Sequence, residues 1–137
     1  MAIKGDSYQI ELKESHIAWG KYRFTDSRNK ISGEAYIPIP RHMAKKFNIF
    51  NSNYTGGLDI LGQNIFDCVS MDGSFKGTLK AQGCSEAGDI YAKQFSIKGN
   101  LKALGIWFYN INASVGDIIE VEWISDTDII LNYIKKI

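Results

Sequence analysis

Few residues in this chain have the types and spacing that catalysis requires. The two histidines, His16 and His42, have no partners in the arrangements used by zinc hydrolases or phospholipase-D-type nucleases. A Mg²⁺-dependent nuclease needs two carboxylates with a lysine beside them. The Glu120–Glu122 strand has no lysine in register, and Lys93, four residues after Asp89, has no second acid at short spacing. We therefore expect no catalytic residues, no metal site and no cofactor, and favour a binding protein over an enzyme.

The cysteines and the N-terminal residues indicate the cellular compartment in which the protein is expected to work. Cys68 and Cys84 match no zinc or disulfide pattern, so we expect a buried thiol at Cys68 and an exposed loop thiol at Cys84. The N-terminal residues form no signal peptide, and no run approaches the ~18 apolar residues of a membrane span. We expect a cytoplasmic protein.

Charge is unevenly distributed along the sequence. The formal net charge is only +1, but Lys13 to Lys46 contains eight Lys or Arg against three acids. Lys76 to Lys102 contains five Lys against two acids, whereas Asp117 to Asp128 is acidic. A nearly neutral protein with one positive face attracts a polyanion to that face. Solvated charges scattered over the surface are an equally good interpretation unless the fold brings the two basic segments together.

The hydrophobic pattern predicts a mostly β protein that forms one domain over residues 1–137. Alternation of apolar and polar residues, bounded by turn residues, indicates about seven short strands. These strands are Tyr8–Lys13, Ile31–Ile37, Gln63–Val69, Phe75–Ala81, Ile90–Phe95, Ile118–Ile124 and Asp128–Ile134. Helical spacing predicts two short helices, Arg41–Phe47 and Asn100–Tyr109, and Glu14–Lys30 is expected to be a projecting loop.

Many short strands favour a closed or nearly closed barrel with helices at its ends, because closure leaves few exposed edges. The Asp72-Gly73 pair predicts a hairpin turn. Residues that fall on an apolar period are assigned to the core. They are Tyr36, Phe47, Phe66, Leu104 and Trp107.

The most distinctive run, Glu34 to Asn53, begins Glu-Ala-Tyr-Ile-Pro-Ile-Pro and leads a strand directly into a helix. It resembles the E-x-Y-I-P-I-P run of bacterial restriction endonucleases of the NgoFVII type, in their B-three-like DNA-binding domain. The resemblance continues in order through residues 8–134. It includes Met71-Asp-Gly followed by Phe75, Gln82 and Lys93, then Asn100–Gly105 with Trp107-Phe108, then Val115-Gly-Asp117.

This resemblance implies a seven-stranded pseudobarrel that grips the major groove of double-stranded DNA with two arms. The first arm is the loop 14–30, and the second arm is the strand-loop-strand 76–93. They coincide with the basic segments found from charge alone. Those restriction endonucleases carry a separate nuclease domain, for which residues outside 8–134 leave no room. We therefore expect the recognition module of a restriction endonuclease or a stand-alone DNA binder, with any nuclease in a separate domain or subunit.

Arginine can donate two hydrogen bonds to guanine O6 and N7, and glutamine can pair with adenine. Contacts from other polar side chains to the phosphates position the protein on the DNA. The candidates in the first arm are Ser15, His16, Trp19, Lys21, Tyr22, Arg23, Arg28, Asn29 and Lys30. The candidates in the second arm are Lys76, Lys80, Gln82 and Lys93. Arg41, Asn51 and Asn53 are candidates for contacts to phosphates.

Two other functions fit the same residues. A protein-interaction module of the inhibitor or immunity type would present the acidic residues Asp117 to Asp128. A barrel that encloses a small ligand would show a deep apolar pocket. DNA binding instead requires the two basic arms to lie side by side.

Overall fold

The computed structural model describes residues 2–17, 35–52, 54–83 and 89–136. Within these ranges the chain forms a single sheet of seven strands, in the order β1-β6-β7-β3-β4-β5-β2. The strands are β1 (Ser7–Glu11), β2 (Ile37–Pro38), β3 (Ile65–Ser70), β4 (Lys76–Gln82), β5 (Gln94–Ile97), β6 (Ile118–Trp123) and β7 (Asp128–Ile134). Neighbours are antiparallel except β3 and β7, which are parallel. The sheet curls into the expected, nearly closed barrel, with an unsealed seam between β1 and β2.

Alternation of inward and outward side chains builds much of the core, most regularly in β1 and β6. In β6, Ile119, Val121 and Trp123 point inward and are buried, while the residues between them face outward. Trp123 is fully buried, and its ring contacts the rings of Phe47 and Phe66 at 5.2 and 5.8 Å between centroids. Edge and tilted contacts of this kind add to the gain from burying the rings.

One side-chain hydrogen bond bridges the seam. The Tyr8 hydroxyl of β1 donates a hydrogen bond to the Pro38 carbonyl of β2 at 3.1 Å. Burial raises the pKa of Tyr8, so this hydroxyl stays protonated and remains a donor. Pro38 lies within β2, where the sequence predicted the strand to end. An edge strand tolerates proline, because the missing N–H faces the seam instead of a ladder.

In the described part of the chain, three short helices cover the ends of the barrel: α1 (Glu14–Ile17), α2 (Arg41–Phe47) and α3 (Ala103–Asn110). The bounds of α2 agree with the sequence prediction, and Asn48 ends it in the left-handed conformation (φ 53°). Helix α2 packs at one end, where Phe47 contacts Trp123. Helices α1 and α3 share the other end, where Ile17 and Phe108 line one cavity.

Three expectations are corrected by the structure. The segment expected to be all loop begins with a helical turn, α1. Strand β5 starts at Gln94 instead of Ile90, because Tyr91 forms only an isolated bridge to Phe50. Tyr36 is half-buried beside the His16 ring instead of lying in the core. The other expected core residues are buried, as is Cys68, but Cys84 lies outside the described residues.

Candidate nucleic-acid interface

A buried asparagine holds Gly83 and Asp89, which are the described ends of the second-arm loop (residues 83–89). The Asn51 side chain is 1% exposed. Its Nδ2 donates to the carbonyl of Asp89 at 3.0 Å, and its Oδ1 accepts from the N–H of Gly83 at 3.0 Å. A Cβ at Gly83 would lie 3.1 Å from Asn51 Nδ2, so glycine fits this close approach. Asn51 thus ties together the described ends of the second-arm loop and lies too deep to meet a phosphate.

Beside this anchor lies a groove of about 420 Å³, which we call the basic groove. Arg41 and Lys45 line one side of it from α2, where their i,i+4 spacing places them on one helix face. Lys93 lines the other side and pairs with Asp89 at 3.1 Å. All three cations are exposed. Among the described residues that line the basic groove, three positive charges face one carboxylate, which makes this lining electropositive and suits an anionic chain.

The outer face of β4 carries the other second-arm candidates. Leu79 and Ala81 point into the core, so Lys76, Lys80 and Gln82 point outward. At ~3.3 Å per residue, the outer face from Lys76 to Gln82 extends about 20 Å. The Gln82 Oε1 accepts a hydrogen bond from Ser96 Oγ at 3.0 Å, which orients its amide.

Lys80 is partly neutralised by a residue that the sequence analysis did not consider. Asp59 lies 3.5 Å from Lys80 Nζ and 2.6 Å from Lys98 Nζ. The hydrogen bond from Lys98 is the main reason that the pKa of Asp59 is lowered, and the charge of Lys80 adds to it. Asp59 therefore holds two lysines of the β4–β5 face together. Its position far from both in sequence offered no signal for this contact.

Only the base of the first arm falls within the described residues. His16 Nδ1 accepts a hydrogen bond from the Lys13 N–H at 3.1 Å, and its ring meets the Tyr36 ring edge-on at 5.5 Å. Burial, followed by the charge of Lys13, lowers the pKa of His16 and favours the neutral ring. Ser15 is partly exposed on α1. The remaining first-arm candidates and one phosphate candidate lie outside the described residues: Trp19, Lys21, Tyr22, Arg23, Arg28, Asn29, Lys30 and Asn53.

The two arms leave the barrel at different ends of one strand pair. Strand β2 runs antiparallel to β5, with Ile37 opposite Phe95 and Pro38 opposite Gln94. The chain returning from the first arm through Ala35 therefore approaches the Ile97 end of β5. The second-arm loop joins the opposite end, where Gln82 faces Gln94. The described bases of the two arms therefore do not leave the barrel side by side, as the DNA-binding expectation required, and a ligand that contacted both arms would extend along β2 and β5.

The acidic residues lie elsewhere on the barrel. Glu120 and Glu122 face outward on β6, which is separated from β4 by β7 and β3. Asp117 does not belong to an acidic surface as expected, since it is 2% exposed. It accepts hydrogen bonds from the N–H groups of Ser114 and Lys136, and from the Tyr133 hydroxyl. Burial alone would raise the pKa of Asp117, but those N–H groups and nearby lysine charges lower it.

Lys45 was not among the predicted site residues, and its i,i+4 spacing from Arg41 is the signal that could have found it. Among the described residues, no three His, Cys, Asp or Glu side chains come together as a metal site. The helices within those residues are all too short or too polar to cross a membrane.

No protein-family model matches the chain, and no curated protein matches it. Among solved structures, the chain is similar to the N-terminal domain of Helicobacter pylori LlaJI.R1, with a TM-score of 0.53 and 11% identity. The alignment covers 95% of this chain and 88% of that domain. At this identity the likeness shows a similar fold alone, and it does not identify the NgoFVII type of domain.

Proposed function

We propose that this chain binds double-stranded DNA through the face that carries β2, β5 and the outer side of β4. The observation that carries the proposal is the basic groove, in which Arg41, Lys45 and Lys93 converge beside the anchored second-arm loop. Phosphates attract clustered cations regardless of sequence, so this groove would position the duplex. The acidic strand β6 lies on another part of the barrel, where it would repel the duplex only weakly.

The finer part of the proposal is recognition of a DNA sequence in the major groove by the two arms. Gln82 is a partly exposed amide oriented by Ser96, and its oxygen keeps a second lone pair for an adenine amino group. The basic first arm would supply further base and phosphate contacts, from Arg23 and Arg28 above all. The resemblance to B-three-like domains, and a fold neighbour with a restriction-type designation, support a recognition module of a cytoplasmic restriction system.

The test is a fluorescence-anisotropy titration of a labelled random duplex at three salt concentrations. We expect log K to fall linearly with log[salt], by about 0.9 per phosphate contact. Arg41→Ala, Lys45→Ala and Lys93→Ala should each flatten that slope by about one and weaken all sequences alike. Lys4→Ala is the matched control, because Lys4 is exposed and precedes β1, beside the acidic strand β6.

Two results would overturn the proposal. Binding that is indifferent to salt would mean that phosphates are not the ligand. Loss of binding on Glu120→Gln or Asp126→Asn, with Arg41→Ala silent, would favour the protein-interaction alternative. Asp117 no longer supports that alternative because it is buried.

A further inference from the structure

Three aromatic rings form a stack that leads from the basic groove to the surface. Tyr91, which lines the basic groove, stacks on Phe50 with 5.8 Å between centroids and 21° between planes. Phe50 stacks in turn on Tyr54, at 5.9 Å and 30°. The outermost residue, Tyr54, is 57% exposed. The near-parallel planes leave Tyr54 as the outermost ring of an aromatic stack, instead of an isolated surface side chain.

The chain around Tyr54 is held by a dense set of hydrogen bonds. The Tyr54 N–H donates to the Asn51 carbonyl at 2.9 Å. Asn64, which is 0% exposed, donates to Thr55 Oγ1 and to the Leu58 carbonyl, and it accepts from the Ile60 N–H. The Asn64 bonds span the segment 55–64 that follows Tyr54. The ring is thus positioned before any ligand arrives, which lowers the entropic cost of stacking on it.

We propose that Tyr54 is a stacking platform for an unpaired DNA base, whose neighbouring phosphates enter the basic groove. Every nucleobase has a π-face, so an exposed ring beside clustered cations is the pairing of features that binds unstacked strands. The two stacking steps of 5.8 and 5.9 Å place Tyr54 within a few nucleotides' reach of Tyr91 and the groove. The inference shares the basic groove with the proposed duplex binding and adds a different DNA state as ligand.

The charge of the surroundings favours this ligand over a hydrophobic protein partner. The same loop exposes Leu58 and Leu61, which a protein could cover. However, the stack runs directly into the basic groove, whose described lining carries Arg41, Lys45 and Lys93 and the carboxylate of Asp89. A base with its phosphates satisfies both parts of the site at once, the ring by stacking and the groove by charge.

The experiment compares three DNA probes: a closed hairpin duplex, the same duplex with one unpaired central nucleotide, and a mixed-sequence single strand. In the last two, 2-aminopurine replaces one unpaired base, since its fluorescence is quenched when it stacks. We expect the full-length protein to quench both unpaired probes. Tyr54→Ala should abolish the quenching and weaken single-strand binding by about tenfold, while Tyr54→Phe should retain both properties.

Tyr109→Ala is the matched control, because Tyr109 is 83% exposed on α3 at the other end of the barrel. Thermal melting of each variant checks that the fold is intact, which an exposed tyrosine should not disturb. Quenching of the single strand but not of the bulged duplex would assign the site to free strands. Quenching of both the single strand and the bulged duplex would show that the site also accepts a base displaced from a duplex.

The outcomes separate this inference from the proposed function. If the parent binds the hairpin, and Tyr54→Ala quenches and binds both unpaired probes as well as the parent does, then Tyr54 is not a stacking platform. The proposed duplex binding would still hold. If quenching depends on Tyr54 but the protein does not bind the hairpin, then the stacking platform is supported and the proposed duplex binding is overturned. Quenching that persists in Tyr54→Ala would also overturn the inference, because the base would then stack elsewhere.

Discussion

The buried Asn51 side chain accepts a hydrogen bond from the Gly83 N–H at 3.0 Å, and this contact fixes one end of the second-arm loop. The same side chain holds Asp89 at the other end, so one residue sets how the loop leaves the barrel. A residue expected to touch phosphates therefore acts behind the interface. It positions the arm from the core.

Asn51→Ala should lower the free energy of unfolding by about 1–3 kcal/mol, because it leaves the Gly83 N–H and the Asp89 carbonyl without this partner. Duplex affinity should fall with it, since the second-arm loop loses its anchor. Urea denaturation and anisotropy measure the two effects. Asn110→Ala, an exposed asparagine at the end of α3, is the control. Unchanged stability in Asn51→Ala would contradict the role as an anchor.

Asp59→Asn should strengthen duplex binding. The carboxylate neutralises Lys80 and Lys98, and a solvent-exposed ion pair of this kind contributes little to the free energy of unfolding, so its loss should cost little stability. Two freed lysines should steepen the salt dependence by about one to two in log–log slope. Anisotropy at three salt concentrations measures this change, with Asp126→Asn on the β6–β7 turn as the control. A weaker-binding Asp59→Asn would place Lys80 away from the DNA.

Tyr8→Phe should keep the fold and lose about 0.5–1.5 kcal/mol of stability, because it removes the hydrogen bond from β1 to the Pro38 carbonyl across the seam. Hydrogen exchange should also quicken at the Ile39 N–H, which bonds the Lys93 carbonyl just beyond β2. The matched variant is Tyr109→Phe, at an exposed position. If Tyr8→Phe matched the parent in both measurements, the seam would be held by packing alone.

Asp72 should contribute stability at neutral pH that is lost in acid. Hydrogen bonds from the Ser70 hydroxyl, then from the Ser74 N–H and hydroxyl, lower its pKa to about 2. A depressed pKa means that the folded state favours the carboxylate, so the contribution is complete above the unfolded pKa of ~3.9. It should decline as the pH falls towards 2.

The measurement is the free energy of unfolding of the parent and of Asp72→Asn between pH 6 and pH 2. The amide keeps an oxygen acceptor but carries no charge, so the difference between the two proteins reports the charge. That difference should shrink as the pH falls through this window. A difference that is constant with pH would show that the turn does not depend on the Asp72 charge.

Local pattern was sufficient for the elements whose form depends on neighbouring residues. Pro40, followed by an apolar stripe at helical spacing, predicted α2 with its observed bounds. The bounds of β7 agree as well, because its inward positions alternate along the chain. The hairpin at Asp72-Gly73 required only a glycine at positive φ, which Gly73 adopts at 77°. Strand count and barrel class therefore followed from periodicity.

The sequence by itself determined which segments are basic, which residues alternate, and where turns occur. Only the tertiary structure decided which charged side chains are available to a ligand, since distance in space decides which charges are paired within the protein. Lys80 meets Asp59, Asp117 is buried under the C-terminal residues, and Asn51 anchors a loop from inside the barrel. These contacts join residues that are far apart in the chain, where no local periodicity can relate them. The tertiary structure likewise placed Tyr54, Phe50 and Tyr91 in one stack.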